Sequence, residues 1–209
     1  MKCGRSSFLF WINNIKVNLI KKLTDFDEKI SSSLRIIPQE GFLFNIAALI
    51  AHSGDSWIWC GVLFVLWLFS SGERERTIAY WGGTIALTAC FVFVLKRIIA
   101  RTRPEGNWGN VYRKTDPYSF PSGHSVRGGL ILMLAIHTFS QKWIILIFAV
   151  WAILMILSRV ATGVHYFLDV IAGFLLGILI GRFWILLQPW IYSKFYFLFN
   201  KSLWFRKAT

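Results

Sequence analysis

Residues 158 to 169 read SRVATGVHYFLD and join an apolar run at 143–157 to a second that extends from about Tyr166 to Leu187. Paired runs of this kind read as membrane helices, so the twelve residues mark a membrane surface. They concentrate Ser158, Arg159, His165 and Asp169 where polar groups are disfavoured by several kcal/mol unless they find partners, which makes the stretch a functional candidate. If the helix has begun by His165, Asp169 lies four residues on, on the same face and within reach of the imidazole. A carboxylate there holds one ring nitrogen protonated and leaves the other free to attack.

The composition supports a membrane reading. Of 209 residues, 56% are hydrophobic and only 16% charged, with eleven Trp and nineteen Phe. A formal charge of +13 raises nucleic acid as a partner, but the basic residues flank apolar runs instead of forming one polar face, which suits loops and anionic lipid headgroups. No nucleic-acid partner is expected, and nothing in the sequence indicates an oligomeric state. Cys3, Cys60 and Cys90 have no metal-ligand spacing and read as packing residues. The run Phe8–Ile12 is broken by Asn13 and Asn14 and is too short for a cleaved signal.

The chain divides into a basic region over 1–40, a membrane domain over 41–188 and a basic, aromatic tail over 189–209. In the first region Phe26, Ile30, Leu34 and Ile37 recur at helical spacing, with Thr24 and Asp27 resembling a capping box. This predicts an amphipathic helix in the headgroup plane or packed beneath the bundle. Residues 42–52 and 56–70 are two short or tilted helices joined by a tight turn, with Asp55 read as N-cap of the second or, alternatively, as facing the active site. Further helices are expected over 78–95, 125–139, 143–157 and 166–187, the last ending at Pro189. The fold class is therefore all-α, an integral membrane bundle of about six transmembrane segments with an interfacial N-terminal helix.

Because consecutive spans alternate in direction, KRIIARTRP after the third, PSGH before the fourth, and both ends of 158–169 meet at one surface. On that count residues 1–40, the 70–77 loop, Lys142 and the chain after residue 181 share the opposite face, with fifteen of the twenty-three Lys and Arg. Positive-inside bias then places the motif surface on the extracytoplasmic side of a plasma (inner) membrane.

Lys96 and Arg103 are seven residues apart, nearly two turns if the helix persists, and with Arg159 they supply three cations for a phosphoryl group. Ser122 and Gly123 open a helix whose first amides suit an anion, and His124 follows within reach of a leaving oxygen. Arg127, one turn on, has two readings, a contact in the same pocket or a solvated, headgroup-facing cation. Arg97, Arg101, Arg113 and Lys114 read as solvated or headgroup-facing, and His52 and His137 as hydrogen-bonded packing residues.

These motifs resemble the type 2 phosphatidic acid phosphatase family, membrane lipid phosphatases whose active site is related to that of the vanadium haloperoxidases. The pattern is Lys, six residues, Arg-Pro (Lys96, Arg103, Pro104), then Pro-Ser-Gly-His (Pro121–His124), then Ser-Arg, five residues, His, three residues, Asp (Ser158, Arg159, His165, Asp169). The resemblance covers about 41–187. It implies His165 as the nucleophile forming a phosphohistidine, Asp169 as its orienting partner and His124 as general acid. Lys96, Arg103, Ser122, Gly123 and Arg159 would hold the phosphoryl oxygens, with no metal or other cofactor. The implied substrate is a lipid phosphate in the bilayer: an isoprenoid diphosphate such as undecaprenyl diphosphate, phosphatidylglycerol phosphate or phosphatidic acid. The alternatives are a non-catalytic lipid-phosphate binding or transport protein, and a vanadate-dependent haloperoxidase, a class that is soluble and larger.

Overall fold

The computed structural model describes residues 18, 21–36, 40–105 and 116–195. Cys3, Ile37, Arg113, Lys114 and the tail beyond residue 195 lie outside them. The described chain is helical: α1 covers 21–34, α2 Phe42–His52, α3 Ser56–Leu68 and α4 Gly72–Ile99. α5 spans Gly123–Thr138, α6 Lys142–Ala161 and α7 Phe167–Lys194. Helices α4, α6 and α7 are long and apolar enough to cross a membrane, and α2 with α3, bent by 56°, qualify together as one broken span.

α5 is the centre of the bundle. At 16 residues it is about 24 Å long, short for a span, yet Val126, Leu130, Ile131, Leu134 and Ala135 are almost completely buried against its neighbours. Its closest partner is α7, where Gly173, Gly177 and Gly181 recur every fourth residue facing α5. A Cβ on Gly177 would sit 2.0 Å from the carbonyl oxygen of Val126, so only glycine lets the backbones meet. That contact sets His124, at the start of α5, against the start of α7, where Ser122 N donates to Asp169 O at 3.1 Å.

The far end of the bundle is tied by Trp81 Nε1 to Thr138 Oγ1 (3.2 Å), by His137 with Gln188 (2.7 Å) and by Tyr80 OH to the Trp184 carbonyl. Helices α4 to α7 therefore alternate between this end and the end holding the motifs, as the sequence predicts. His137, and His52 bonded to Asp55 at 3.0 Å, have the hydrogen bonds expected of them.

Three expectations are corrected. First, α7 runs through Pro189 to Lys194 instead of stopping there. Beyond the proline, Ile191 and Tyr192 pack on the bundle and Gln188 Nε2 donates to Tyr192 OH at 3.1 Å, contacts that outweigh the missing backbone bond. Second, Thr24 and Asp27 lie inside α1 and Asp27 does not cap it; its Oδ1 accepts from Leu168 N of α7 at 2.8 Å.

Third, α1 lies at the motif end. Ile36 N donates to Ala161 O at 2.9 Å, and Ser31 Oγ accepts from Phe167 N at 2.8 Å. From there α2 descends along α6 until Trp151 Nε1 reaches Ser53 Oγ at 2.9 Å, and α3 continues the descent. Taking α2 and α3 as two separate crossings puts 21–36 on the wrong face. With α1 restored to the motif end, that end holds ten of the fifteen described Lys and Arg, and six of eleven without Lys96, Arg103, Arg127 and Arg159. The charge bias no longer directs the pocket to the extracytoplasmic side.

Candidate active site

Two chain reversals build the site. α4 stops at Ile99 because Ala100 adopts a left-handed conformation (φ 52°), with its amide bonded to Lys96 O at 2.8 Å. The helix thus does not persist to Arg103, which reaches Lys96 by way of a loop. Between α6 and α7, Gly163 takes φ 72°, a conformation suited to glycine, and the amides of Val164 and His165 turn back onto the Arg159 carbonyl.

These turns surround a cavity of about 190 Å³ lined by Lys96, Arg103, Gly123, His124, Arg127, Arg159 and His165. Its wall continues as the apolar Ile85, Ala89, Val92 and Phe93 of α4 with Val126 and Leu130 of α5. Six of the eight site residues expected from sequence line the cavity, together with Arg127. Ser122 and Asp169 stand behind its wall. Ser122 caps α5 by accepting from Ser125 N, and its own amide is engaged by Asp169 O, so that amide is not directed at an anion.

Asp116, which the sequence reading did not single out, also lines the cavity and occupies its cationic end. Lys96 Nζ donates to its Oδ2, and Arg103 Nη2 donates to the same oxygen at 2.8 Å. A carboxylate there occupies the position that a phosphoryl oxygen would need.

His165 is 1% exposed, and its Nε2 faces Arg103 Nη1 at 3.1 Å. Since guanidinium can only donate, Nε2 is the acceptor and the ring proton sits on Nδ1. Nδ1 points toward Asp169 Oδ2, but at 3.7 Å it has no hydrogen bond among the described residues. Burial, then the charges of Arg103, Lys96 and Arg159, hold the imidazole pKa well below its ordinary value, so the ring is neutral and its Nε2 lone pair accepts from Arg103 until that guanidinium turns to another acceptor. Asp169 is drawn instead to Arg101 Nη1 at 2.6 Å and to Tyr166 N at 3.0 Å. Arg101 is thus no solvated headgroup contact.

The tighter His–Asp pair is the other one. His124 Nε2 lies 2.6 Å from Asp55 Oδ1, while Asp55 Oδ2 accepts from His52 Nδ1. Asp55 stands at the N-cap position of α3, as expected, but makes no side-chain capping bond, because its carboxylate is committed to these two rings in the site. The available signal was an ionisable residue at a polar break inside an apolar segment. Arg127 secures the same turn through the Gly54 carbonyl and Ser56 Oγ.

Fold and site together define a class: a helical membrane protein whose polar pocket carries a cluster of cations and two histidines beside an apolar wall. Residues 77–193 match the PAP2 superfamily, and the chain belongs to it. It is 33% identical over 145 residues to an undecaprenyl-diphosphatase of Sulfolobus acidocaldarius, an alignment covering 65% of this chain and 66% of that protein. It is 29% identical over 192 residues to phosphatidylglycerophosphatase B of Bacillus subtilis, covering 84% and 89% of the two chains. A match to phosphatidylglycerophosphatase B of Haemophilus influenzae, 39% identical, covers 34% of this chain and only 32% of that one. The fold is also that of the crystal structure of the Bacillus subtilis transmembrane phosphatidylglycerolphosphate phosphatase, with a TM-score of 0.68 at 24% identity over 91% of this chain and 98% of that one.

Proposed function

We propose that this protein is a metal-independent lipid phosphatase acting on a lipid phosphate monoester or diphosphate through a phosphohistidine. The observation that carries it is the single cavity joining Lys96, Arg103 and Arg159 to His165 and His124, with an apolar wall leading away. The cations hold the phosphoryl oxygens and displace Asp116. The Nε2 lone pair of His165 attacks phosphorus as the bond to the leaving oxygen breaks, and His124 gives that oxygen a proton. Asp55 stabilises the imidazolium form of His124 and fixes its ring. Water then attacks the phosphohistidine, losing a proton to His124, and phosphate is released.

The apolar wall favours a substrate with a hydrocarbon tail, and the names of the relatives point to undecaprenyl diphosphate or phosphatidylglycerol phosphate. The protein is read as crossing a cytoplasmic membrane five times, with α2 and α3 forming one of its six helical segments' crossings jointly. α1 is read as interfacial: Leu23, Phe26 and Leu34 are exposed while Asp27 and Ser31 face the protein, so its outer side suits lipid.

The test is phosphate release by the purified protein in detergent with chelator, across isoprenoid diphosphates, phosphatidylglycerol phosphate, phosphatidic acid and lipid A. One of these should turn over, and His165→Ala should abolish it. Release from none would refute the reading.

A further inference from the structure

The described part of the N-terminal region reaches the nucleophile's partner. Arg101 bridges two fully buried carboxylates, donating from Nη1 to Asp169 Oδ1 and from Nη2 to Asp27 Oδ2, each at 2.6 Å. Its guanidinium also lies over the Tyr166 ring at 4.3 Å, which fixes its plane. Asp27 uses its other oxygen for Leu168 N, and Ser31 takes Phe167 N. Asp169 takes Tyr166 N, so the first amides of α7 are all satisfied by side chains, two of them from α1. One carboxylate thus has four claims on it: Arg101, the Tyr166 amide, the Ser119 hydroxyl and, at 3.7 Å, His165 Nδ1.

We propose that Asp27 and Arg101 are positioning residues for catalysis, and that docking of α1 sets where the Asp169 carboxylate stands relative to His165. Arg101 pairs with Asp169 in a site with no solvent exposure, and Asp27 orients Arg101 so that its pull on Asp169 is fixed in direction. His165 then needs only a small approach to make its Nδ1 bond when phosphorus is attacked and the ring gains positive charge. Arg101 and Asp27 touch no substrate. They act through Asp169, and the phosphate-binding cations Lys96, Arg103 and Arg159 lie on the other side of the imidazole.

This inference rests on the phosphatase reading. The experiment is steady-state kinetics on full-length protein in detergent, with the lipid phosphate that the wild type turns over. Asp27→Asn and Arg101→Gln should each lower kcat by the roughly 10- to 100-fold typical of outer-layer partners while KM stays within about 2-fold, and Arg101→Lys should recover part of the loss. In an Asp169→Asn background, neither substitution should reduce kcat further, because the path runs through that carboxylate. Ser33→Ala, on the exposed side of α1, removes a hydroxyl that bonds the Ile30 carbonyl of its own helix and should leave kcat near wild type. The inference is overturned if KM rises in parallel, if the losses multiply in the Asp169→Asn background, or if Ser33→Ala matches Asp27→Asn. Should Arg101→Gln fail to fold, Asp27→Asn, which keeps the side-chain shape, completes the same cycle. A wild type that releases no phosphate sinks the phosphatase reading itself, whereas turnover without these splits sinks only the role of Asp27 and Arg101.

Discussion

At the scale of single residues, the pocket depends on which nitrogen of each histidine has a partner. His165 keeps an acceptor at Nε2 and stays neutral because burial and three neighbouring cations disfavour its proton. The neutral ring is the reactive form, so its pKa sets the acid limb of kcat/KM, and a lowered pKa moves that limb below the ordinary histidine value of about 6.5. Arg103→Gln removes one of those charges and should shift the limb upward as well as raise KM. Comparing the two pH profiles on one substrate cancels the substrate's own titration, and an unmoved limb would count against His165 as the titrating group. At His124 the issue is the leaving group. Asp55→Asn should slow release from a lipid alkyl phosphate by about 10²-fold, yet have little effect on p-nitrophenyl phosphate, whose leaving oxygen needs no proton. Equal losses on both would assign Asp55 a structural role. The motif residues were legible because their chemistry is tied to spacing along the chain. Asp27, Arg101 and Asp116 were not, since each has an ordinary local explanation and gains its partner only by tertiary approach, while Asp55 was legible only as an alternative to its capping role.

At the scale of elements, α2, α3, α5 and α6 end within a few residues of the apolar runs, whereas α4 begins at Gly72, inside the expected 70–77 loop, α7 runs on to Lys194, and the contacts that position the site were not legible. The α5–α7 contact depends on glycines that hydropathy counts as neutral. Gly177→Ala forces a shift against the Val126 carbonyl, two residues after His124, and should cost about 1–3 kcal/mol of stability together with a loss of kcat. Gly82→Ala and Gly83→Ala meet nothing within 4 Å on α4 and should be neutral or slightly stabilising, by less than about 1 kcal/mol. Thermal unfolding in detergent, read beside turnover, separates the two classes. Helix α1 shows the opposite difficulty: its apolar spacing was legible, but the face that docks is the polar one. A periodicity argument assumes that the apolar stripe faces protein, and at a lipid surface that assumption reverses.

At the scale of the whole molecule, the motifs meet whether α2 and α3 make one crossing or two, since both counts leave α4 to α7 alternating. The count decides only where the N-terminal region lies. An 11-residue α2 is about 16 Å long, half a bilayer core, and it descends beside α6 before the 56° bend hands the span to α3. That tracing puts α1 and the loop after Arg103 at one surface and the α3–α4 turn at the other. In a background with Cys3, Cys60 and Cys90 replaced, single cysteines at the exposed Glu28, Glu105 and Glu73 report it. An impermeant maleimide applied to sealed cells and then to permeabilised ones should label Glu28→Cys and Glu105→Cys in the same step and Glu73→Cys in the other. Labelling of Glu28→Cys together with Glu73→Cys would restore two crossings for α2 and α3 and detach α1 from the active site. The step in which Glu105→Cys reacts also names the membrane face on which the phosphate is released, which the balance of charge between the two ends does not.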